Sequence, residues 1–467
     1  MKLSQTNSFK SKMFQNLHIF EYSQKFYVFD AISVKLTPLD AEEAKLLKYW
    51  REMNRSIYFG DNLGEKSEKI QNIIDRLVKK GFDSKYDSRI AGENPPYRHV
   101  QILVNISQLC NLKCNYCFTK QGKFGYEEER VSKLSPNHAR KLINVLPKGF
   151  PWADSFTIHF YGGEPLLNLP AMQAAVDEAN EIQGLKLNFA ITTNGTIATK
   201  EAISLLNRGK FNIILSIDGP AFIHDECRRT QNNEPTHARV MNFLNKIREN
   251  SKLYVRASSV VRRGWSLHEA HKYQKSLDVH AFKAQAVRLS PDNPMALNEG
   301  EREEYKRHLS EIADEVIAYL HQEKSPRDDR FNHRVLQVLR GTRRTSFCGA
   351  GMSSFGIAAD GTVYPCALLA GLDGMTLGNL DEPVTNWVER GRIWASNHGP
   401  RKGCESCWAL PLCGGGCPAM LHVCGEDECD FTRTNCELAL SIYGEFFPDN
   451  LDKLLYLGNI SWNEDNE

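Results

Sequence analysis

The chain has 467 residues and a mass of 53.1 kDa, and its 58 Lys and Arg nearly balance 57 Asp and Glu, leaving a net charge of +1. With 41% hydrophobic and 25% charged residues and a mean hydropathy of −0.44, it is long enough for two or three domains with buried cores, and disorder, collagen and a membrane-spanning bundle are excluded. Near-neutral charge argues against nucleic acid as the main partner. The N-terminus (MKLSQTNSFKSKMFQ) lacks the apolar middle of a signal peptide, and no apolar run nears the roughly 18 residues of a membrane span, so a cytoplasmic protein with no membrane partner is expected.

In chain order, residues 17–36 read as two strands joined by a turn, followed by helices at 40–52 and 67–80. The stretch from Asp83 to Pro96 reads as a linker. Short apolar strands then alternate with amphipathic helices. The strands are 100–107, 156–161, 187–193, 212–218, 254–261 and 281–289; the helices include 136–146, 170–182, 199–208, 237–249 and 267–277. Such alternation predicts an α/β fold with a parallel sheet, here six units forming a partial (β/α)6 TIM-like barrel whose chemistry sits at the C-terminal strand ends. A charged helix at 301–323 leads into a Gly- and Cys-rich tail, which reads as loop-like and ordered by bound metal rather than by an apolar core.

The thirteen cysteines cluster: three between Cys110 and Cys117, nine between Cys348 and Cys436, and Cys227 alone. An odd count without an export signal points to metal rather than to disulfides. Cys110, Cys114 and Cys117 follow the first barrel strand as C-x3-C-x2-C. Three thiolates on one loop can hold three irons of a cubane and leave the fourth open; a zinc loop is the alternative. Tyr161-Gly162-Gly163-Glu164-Pro165 closes the second barrel strand, Thr193-Asn194-Gly195 the third and Ser216-Ile217-Asp218-Gly219-Pro220 the fourth. The tail reads Cys348-x12-Gly361-x4-Cys366, then Cys404-x2-Cys407-x5-Cys413-x3-Cys417, then Cys436. Its four-cysteine core alone could be a zinc ribbon.

Together these motifs resemble the radical S-adenosylmethionine (SAM) enzymes that carry a C-terminal SPASM domain, in the branch that modifies peptides and proteins. The resemblance implies a 4Fe–4S cluster on Cys110, Cys114 and Cys117, with Tyr116 the aromatic residue before the third cysteine. SAM would chelate the open iron, and its reductive cleavage would yield a 5′-deoxyadenosyl radical. SAM contacts are implied for Gly162, Gly163, Glu164, Pro165 and Asn194, for Ser216 and Asp218 at the ribose, and for Arg256 at the carboxylate, unless Arg256 is only a surface arginine. The family pattern places one further cluster on Cys348, Cys366 and Cys417 and a second on Cys404, Cys407, Cys413 and Cys436, giving three 4Fe–4S clusters. Cys424 or Cys429 would complete the first of these, or that cluster keeps an open iron. Cys227 reads as a buried small hydrophobe.

The resemblance also suggests a layout: an RRE-like α+β peptide-recognition domain (1–95), the barrel (96–330), the SPASM domain (331–440) and a tail (441–467). Partners would be a precursor peptide with a leader sequence and an electron donor such as flavodoxin or ferredoxin. Anaerobic sulfatase maturases carry an aspartate where this chain has Ala367, and alanine cannot take a proton. The expectation is therefore an oxidative cross-link, thioether or C–C or C–O, rather than formylglycine, with Asp225 the candidate catalytic base and His224 and Asp360 as alternatives. A zinc-binding module without catalysis is the reading from another class.

Overall fold

The protein was analysed as a computed structural model, which describes residues 17–53, 64–82, 98–126, 131–344, 346–420 and 429–460. The expected linker at Asp83 to Pro96 lies outside them. Leu17–Tyr22 (β1) and Lys25–Asp30 (β2) form the expected hairpin, and Lys35–Leu39 (β3) adds a third antiparallel strand. The proline in KLTPL hides this strand in the sequence, but β3 lies at the sheet edge, where a proline is tolerated. Alternation along β2 buries both faces. Val28 shares a core with Leu47, Trp50, Ile70 and Ile73 of the helices Ala41–Met53 and Gly64–Lys79. Tyr27 and Phe29 instead join a second core that includes Leu438, Ile442 and Phe446 of the distant helix Cys429–Phe446.

His99–Ser107 (β4), Ser155–Gly162 (β5), Leu187–Thr193 (β6), Asn212–Ser216 (β7), Val255–Val261 (β8) and Ala281–Ala286 (β9) lie side by side and parallel in that order. This is the predicted partial barrel. Helices make the crossovers, and several begin on capping side chains: Ser135, Thr199 and Ser266 each accept a first-turn amide. On β5, Phe156, Ile158 and Phe160 face the helical layer, where the main core lies. The alternate residues Thr157, His159 and Tyr161 face inward, and His159 Nε2 meets Thr192 Oγ1 at 2.8 Å. The inner wall is therefore polar, suited to a polar ligand rather than to a packed core.

The tail departs from expectation. Ser354–Ile357 (β10) pairs parallel with β4 on its free side, and Thr362–Tyr364 (β11) and Gly378–Asn379 (β12) extend the sheet antiparallel. Phe355, Ile357, Val363 and Trp387 enter the barrel core. The helix Cys429–Phe446 packs on the helix Glu299–His321, with the Tyr305 and Phe431 rings 4.7 Å apart. The tail thus buries apolar side chains in cores it shares with the barrel and the N-terminal sheet; its short apolar runs were hidden among glycines and cysteines. It also holds the N-terminal sheet: the His18 ring stacks on Trp408 at 3.7 Å, and His18 Nε2 lies 2.6 Å from Glu437. Among the described residues, no helix is long and apolar enough to cross a membrane.

Candidate active site

The cysteine loop begins where β4 ends, and the end of β5 braces it. Gly163 N–H donates to the Ser107 carbonyl at 2.8 Å, and Glu164 N–H to the Leu109 carbonyl at 2.8 Å. A Cβ on Gly163 would lie 2.2 Å from the Leu109 carbonyl oxygen, so the backbones meet only because this residue is glycine. Pro165 opens the short helical turn Pro165–Asn168. Glu164 is buried and joins the ends of β5 and β6: its carboxylate accepts from Leu166 N–H at 3.1 Å, Thr193 Oγ1 at 2.8 Å and Asn194 N–H at 2.8 Å. Burial pushes this carboxyl up to about 7, and the three donors oppose the rise. Asn194 in turn holds the loop, with Nδ2 2.9 Å from Asn111 Oδ1 and 3.9 Å from Cys110 Sγ.

The three cysteines share the short loop after β4, and Cys114 and Cys117 both act electrostatically on Cys110. Backbone amides point at them, Leu112 N–H at Cys110 Sγ (3.4 Å) and Gln121 N–H at Cys117 Sγ (3.1 Å). Burial pushes the Cys110 thiol up to about 12 and Cys114 up to about 11, while Arg228 favours the Cys114 thiolate. A half-buried, amide-lined sulfur triad beside a guanidinium is a donor set that fits an iron–sulfur cubane, whose iron would take the place of the thiol protons.

Beneath the loop lies a closed ionic network. The Tyr116 hydroxyl donates to Asp218, whose Oδ2 also accepts from Arg228 Nε at 3.0 Å and whose Oδ1 accepts from Val260 N–H at 3.2 Å. Arg228 covers the Tyr116 ring at 5.4 Å. Burial alone would raise the Asp218 carboxyl, but Arg228 and the Tyr116 hydroxyl hold it below its ordinary value. Asp218 is therefore turned to the protein rather than offered to a ligand, whereas Ser216 is half-buried at the end of β7. Burial brings His224 down to about 4, so it is neutral; its Nδ1 accepts from Asp218 N–H at 3.4 Å, leaving Nε2–H to face Thr236 Oγ1 at 3.1 Å.

Two expected site residues lie elsewhere. Asp225 Oδ1 accepts from Thr236 N–H (2.7 Å) and His237 N–H (2.8 Å), so it caps the helix His237–Asn250 rather than serving as a base. Arg256 stands at the start of β8, the end remote from the motifs, and pairs with Asp329 at 2.7 Å. Asp360 Oδ1 accepts from Thr362 N–H at 2.9 Å and shapes the turn at Gly361. Cys227 is buried against Tyr116 and Val287.

The tail sulfurs form two sets. Cys348 and Cys417 both act on Cys366. Cys407 and Cys413 act on Cys436, and Cys404 and Cys413 act on Cys429. Cys429 thus accompanies the second set, 3.5 Å from Arg401, and not the first, which it was a candidate to complete. Cys424 lies outside the described residues. Gly414, Gly415 and Gly416 all have positive φ, a run only glycine adopts readily, and it brings Cys417 round from the second set to the first. Burial pushes Cys366 up to about 12 and Cys436 up to about 11, the same protected-thiol setting as the triad. Ala367 is fully buried, its carbonyl held by Asn105 Nδ2 at 3.1 Å.

In the sequence Tyr161 stands out only as the residue before the glycines. Burial raises its hydroxyl well above the ordinary value, Cys117 and Cys366 add to the rise, and Arg288 and Arg228 oppose it. It pairs in register with Asn105 of β4, whose side chain holds the Ala367 carbonyl next to Cys366. Its position at the end of an inward-facing register was the one available sign.

Residues 104–275 match the model of the radical SAM superfamily. The chain is 26% identical over 377 residues, 75% of this chain and 95% of the relative, to a cysteine-type anaerobic sulfatase-maturating enzyme of Clostridium novyi (strain NT). It is 26% identical over 260 residues, 51% of this chain and 54% of the relative, to the radical SAM cyclopropyl synthase TigE of Paramaledivibacter caminithermalis. The solved structure of native anSMEcpe with bound AdoMet and Kp18Cys peptide superposes with a TM-score of 0.60 at 20% identity, covering 76% of this chain and 99% of that one.

Proposed function

We propose, from the premise that residues 104–275 are a radical SAM domain and the chain an enzyme similar to SPASM-type maturases, that it oxidatively cross-links a ribosomally made precursor peptide. The single observation that carries the reading is that Asn105, near the end of the strand leading into the triad, holds the Ala367 carbonyl beside Cys366 at 3.1 Å, so the tail cysteine comes to the mouth of the barrel. A substrate at the polar mouth of the barrel would then lie between two sulfur-bound iron sites. A radical SAM domain implies one 4Fe–4S cluster and SAM, which when bound supply the one-electron chemistry that opens a substrate C–H bond. Cys110, Cys114 and Cys117 would hold that cluster, and the end of β5 with Asn194 would keep their loop in place.

Joining a peptide sulfur to carbon removes one hydrogen from each, a net two-electron oxidation, so an electron acceptor must sit near the substrate. Cys348, Cys366 and Cys417, and separately Cys404, Cys407, Cys413 and Cys436, would hold two further clusters suited to that role. A thioether is the first choice of product; the relative named for cyclopropyl synthesis supports a C–C bond next. The buried methyl of Ala367 weighs against formylglycine formation. The N-terminal sheet would take the leader by strand addition, and a flavodoxin or ferredoxin would supply electrons. The test is anaerobic incubation of the reconstituted protein with SAM, a reductant and each short peptide encoded beside its gene. Loss of two hydrogens with a ring in the fragmentation pattern is expected. A cysteine converted to formylglycine without a ring would shift the reading to a sulfatase-type maturase, and unchanged peptide masses would refute both.

A further inference from the structure

A cavity of about 540 Å³ opens beside Cys417, between the loop after β9 and the start of the helix Glu299–His321. Its size suits a short peptide segment. Three guanidinium groups from three separate segments line it: Arg263 after β8, Arg288 after β9, and Arg302 on the helix; Glu299 is the one carboxylate among its lining residues. Arg302 Cζ lies over the Phe431 ring, 4.4 Å from its centroid, which anchors the guanidinium at the cavity wall. Arg263 forms a loose, partly exposed ion pair with Glu301 at 3.8 Å, which a bound carboxylate would have to share or displace. Arg288 follows the C-terminal end of β9 and Cys417 lines the same cavity, which places it at the mouth of the barrel. Val287 and Met420 give it apolar walls that would cover a side-chain stem.

We propose that this cavity binds an acidic side chain, Asp or Glu, of the substrate peptide close to the residue that is modified, with Arg263, Arg288 and Arg302 as its specificity-determining contacts. The proposal rests on the peptide-maturase reading above. It is tested on the reconstituted holoprotein by fluorescence anisotropy, using labelled acetyl-Gly-Glu-Gly-Glu-Gly-amide and its Gln and Lys counterparts. The Glu peptide is expected to bind about tenfold more tightly than the Gln peptide, with a preference that weakens as salt rises. Arg288→Gln should abolish the preference and Arg288→Lys retain part of it, while Arg302→Glu should shift it toward the Lys peptide; iron content and melting temperature report that each variant is folded. Equal affinity for the Glu and Gln peptides, or a preference that survives Arg288→Gln, would overturn the proposal. Competition by free glutarate as strong as by the peptide would also overturn it, assigning a small dicarboxylate instead. If the Glu peptide binds as expected but no encoded peptide changes mass, the maturase reading fails and the acidic site stands. If a precursor is cross-linked equally well by wild type and by the arginine variants, the acidic site fails and the maturase reading stands.

Discussion

At the scale of single residues, the triad loop depends on contacts that tolerate little change. Gly163→Ala places a methyl 2.2 Å from the Leu109 carbonyl, so the loop must move; a loss of about 1–3 kcal/mol and lower iron per chain than wild type are expected in a colorimetric iron assay. Iron content equal to wild type would show that the loop yields without losing its geometry. Arg228→Leu strands the buried Asp218 charge and should cost about 3–5 kcal/mol in denaturant unfolding, most of it recovered by adding Asp218→Asn. Additive losses in the double variant would mean that the pair is not coupled. The cysteines and the glycine pair were legible because their spacing is local. Asp225 and Arg256 were misassigned because their partners, the amides of Thr236 and His237 for one and Asp329 for the other, come from other elements that the sequence does not bring together. The contacts of Asp218 were invisible for the related reason that Tyr116, Arg228 and Val260 meet only once β7 and β8 are paired.

At the scale of elements, the helix Leu267–Ser276 is fastened to its neighbours through His271, whose ring meets Asp328 at 3.2 Å and Glu315 at 3.1 Å. Burial opposes a charge on this ring, but the two carboxylates prevail and raise its pKa. The folded state therefore binds this proton more tightly. The resulting stability is full below about 6.5 and is lost as pH rises through the raised folded value, at up to about 1.4 kcal/mol per pH unit. The melting temperature of wild type should fall as pH rises above about 6.5 with a component that His271→Phe lacks; parallel curves would dismiss the role. All six barrel strands were readable from apolar runs alternating with amphipathic helices. β3 and β10 were missed, the first because proline masks an edge strand and the second because four residues are too few for a periodic signal.

At the scale of the whole molecule, apolar burial and sulfur chemistry divide the tail between them. Stripping the iron should leave the helix Cys429–Phe446 protected from hydrogen exchange, since Leu438, Ile442 and Phe446 are held by the second core, while the segment 400–417 loses protection. Exchange throughout the tail at one common rate would mean that metal alone orders it. The sequence could not reveal this division, because it depends on partners hundreds of residues away. The pairing of Gln101 with Ser354 has one more outcome, for synthesis. At about 5–20 residues per second, a nascent chain exposes the unpaired flank of β4 for roughly ten to fifty seconds before its mate leaves the ribosome. During that wait a bare strand edge adjoins three uncovered thiols, so heterologous production should suffer from inclusion bodies, and slower growth, co-expressed holdases or exclusion of oxygen during translation should raise the yield more than any change of purification buffer.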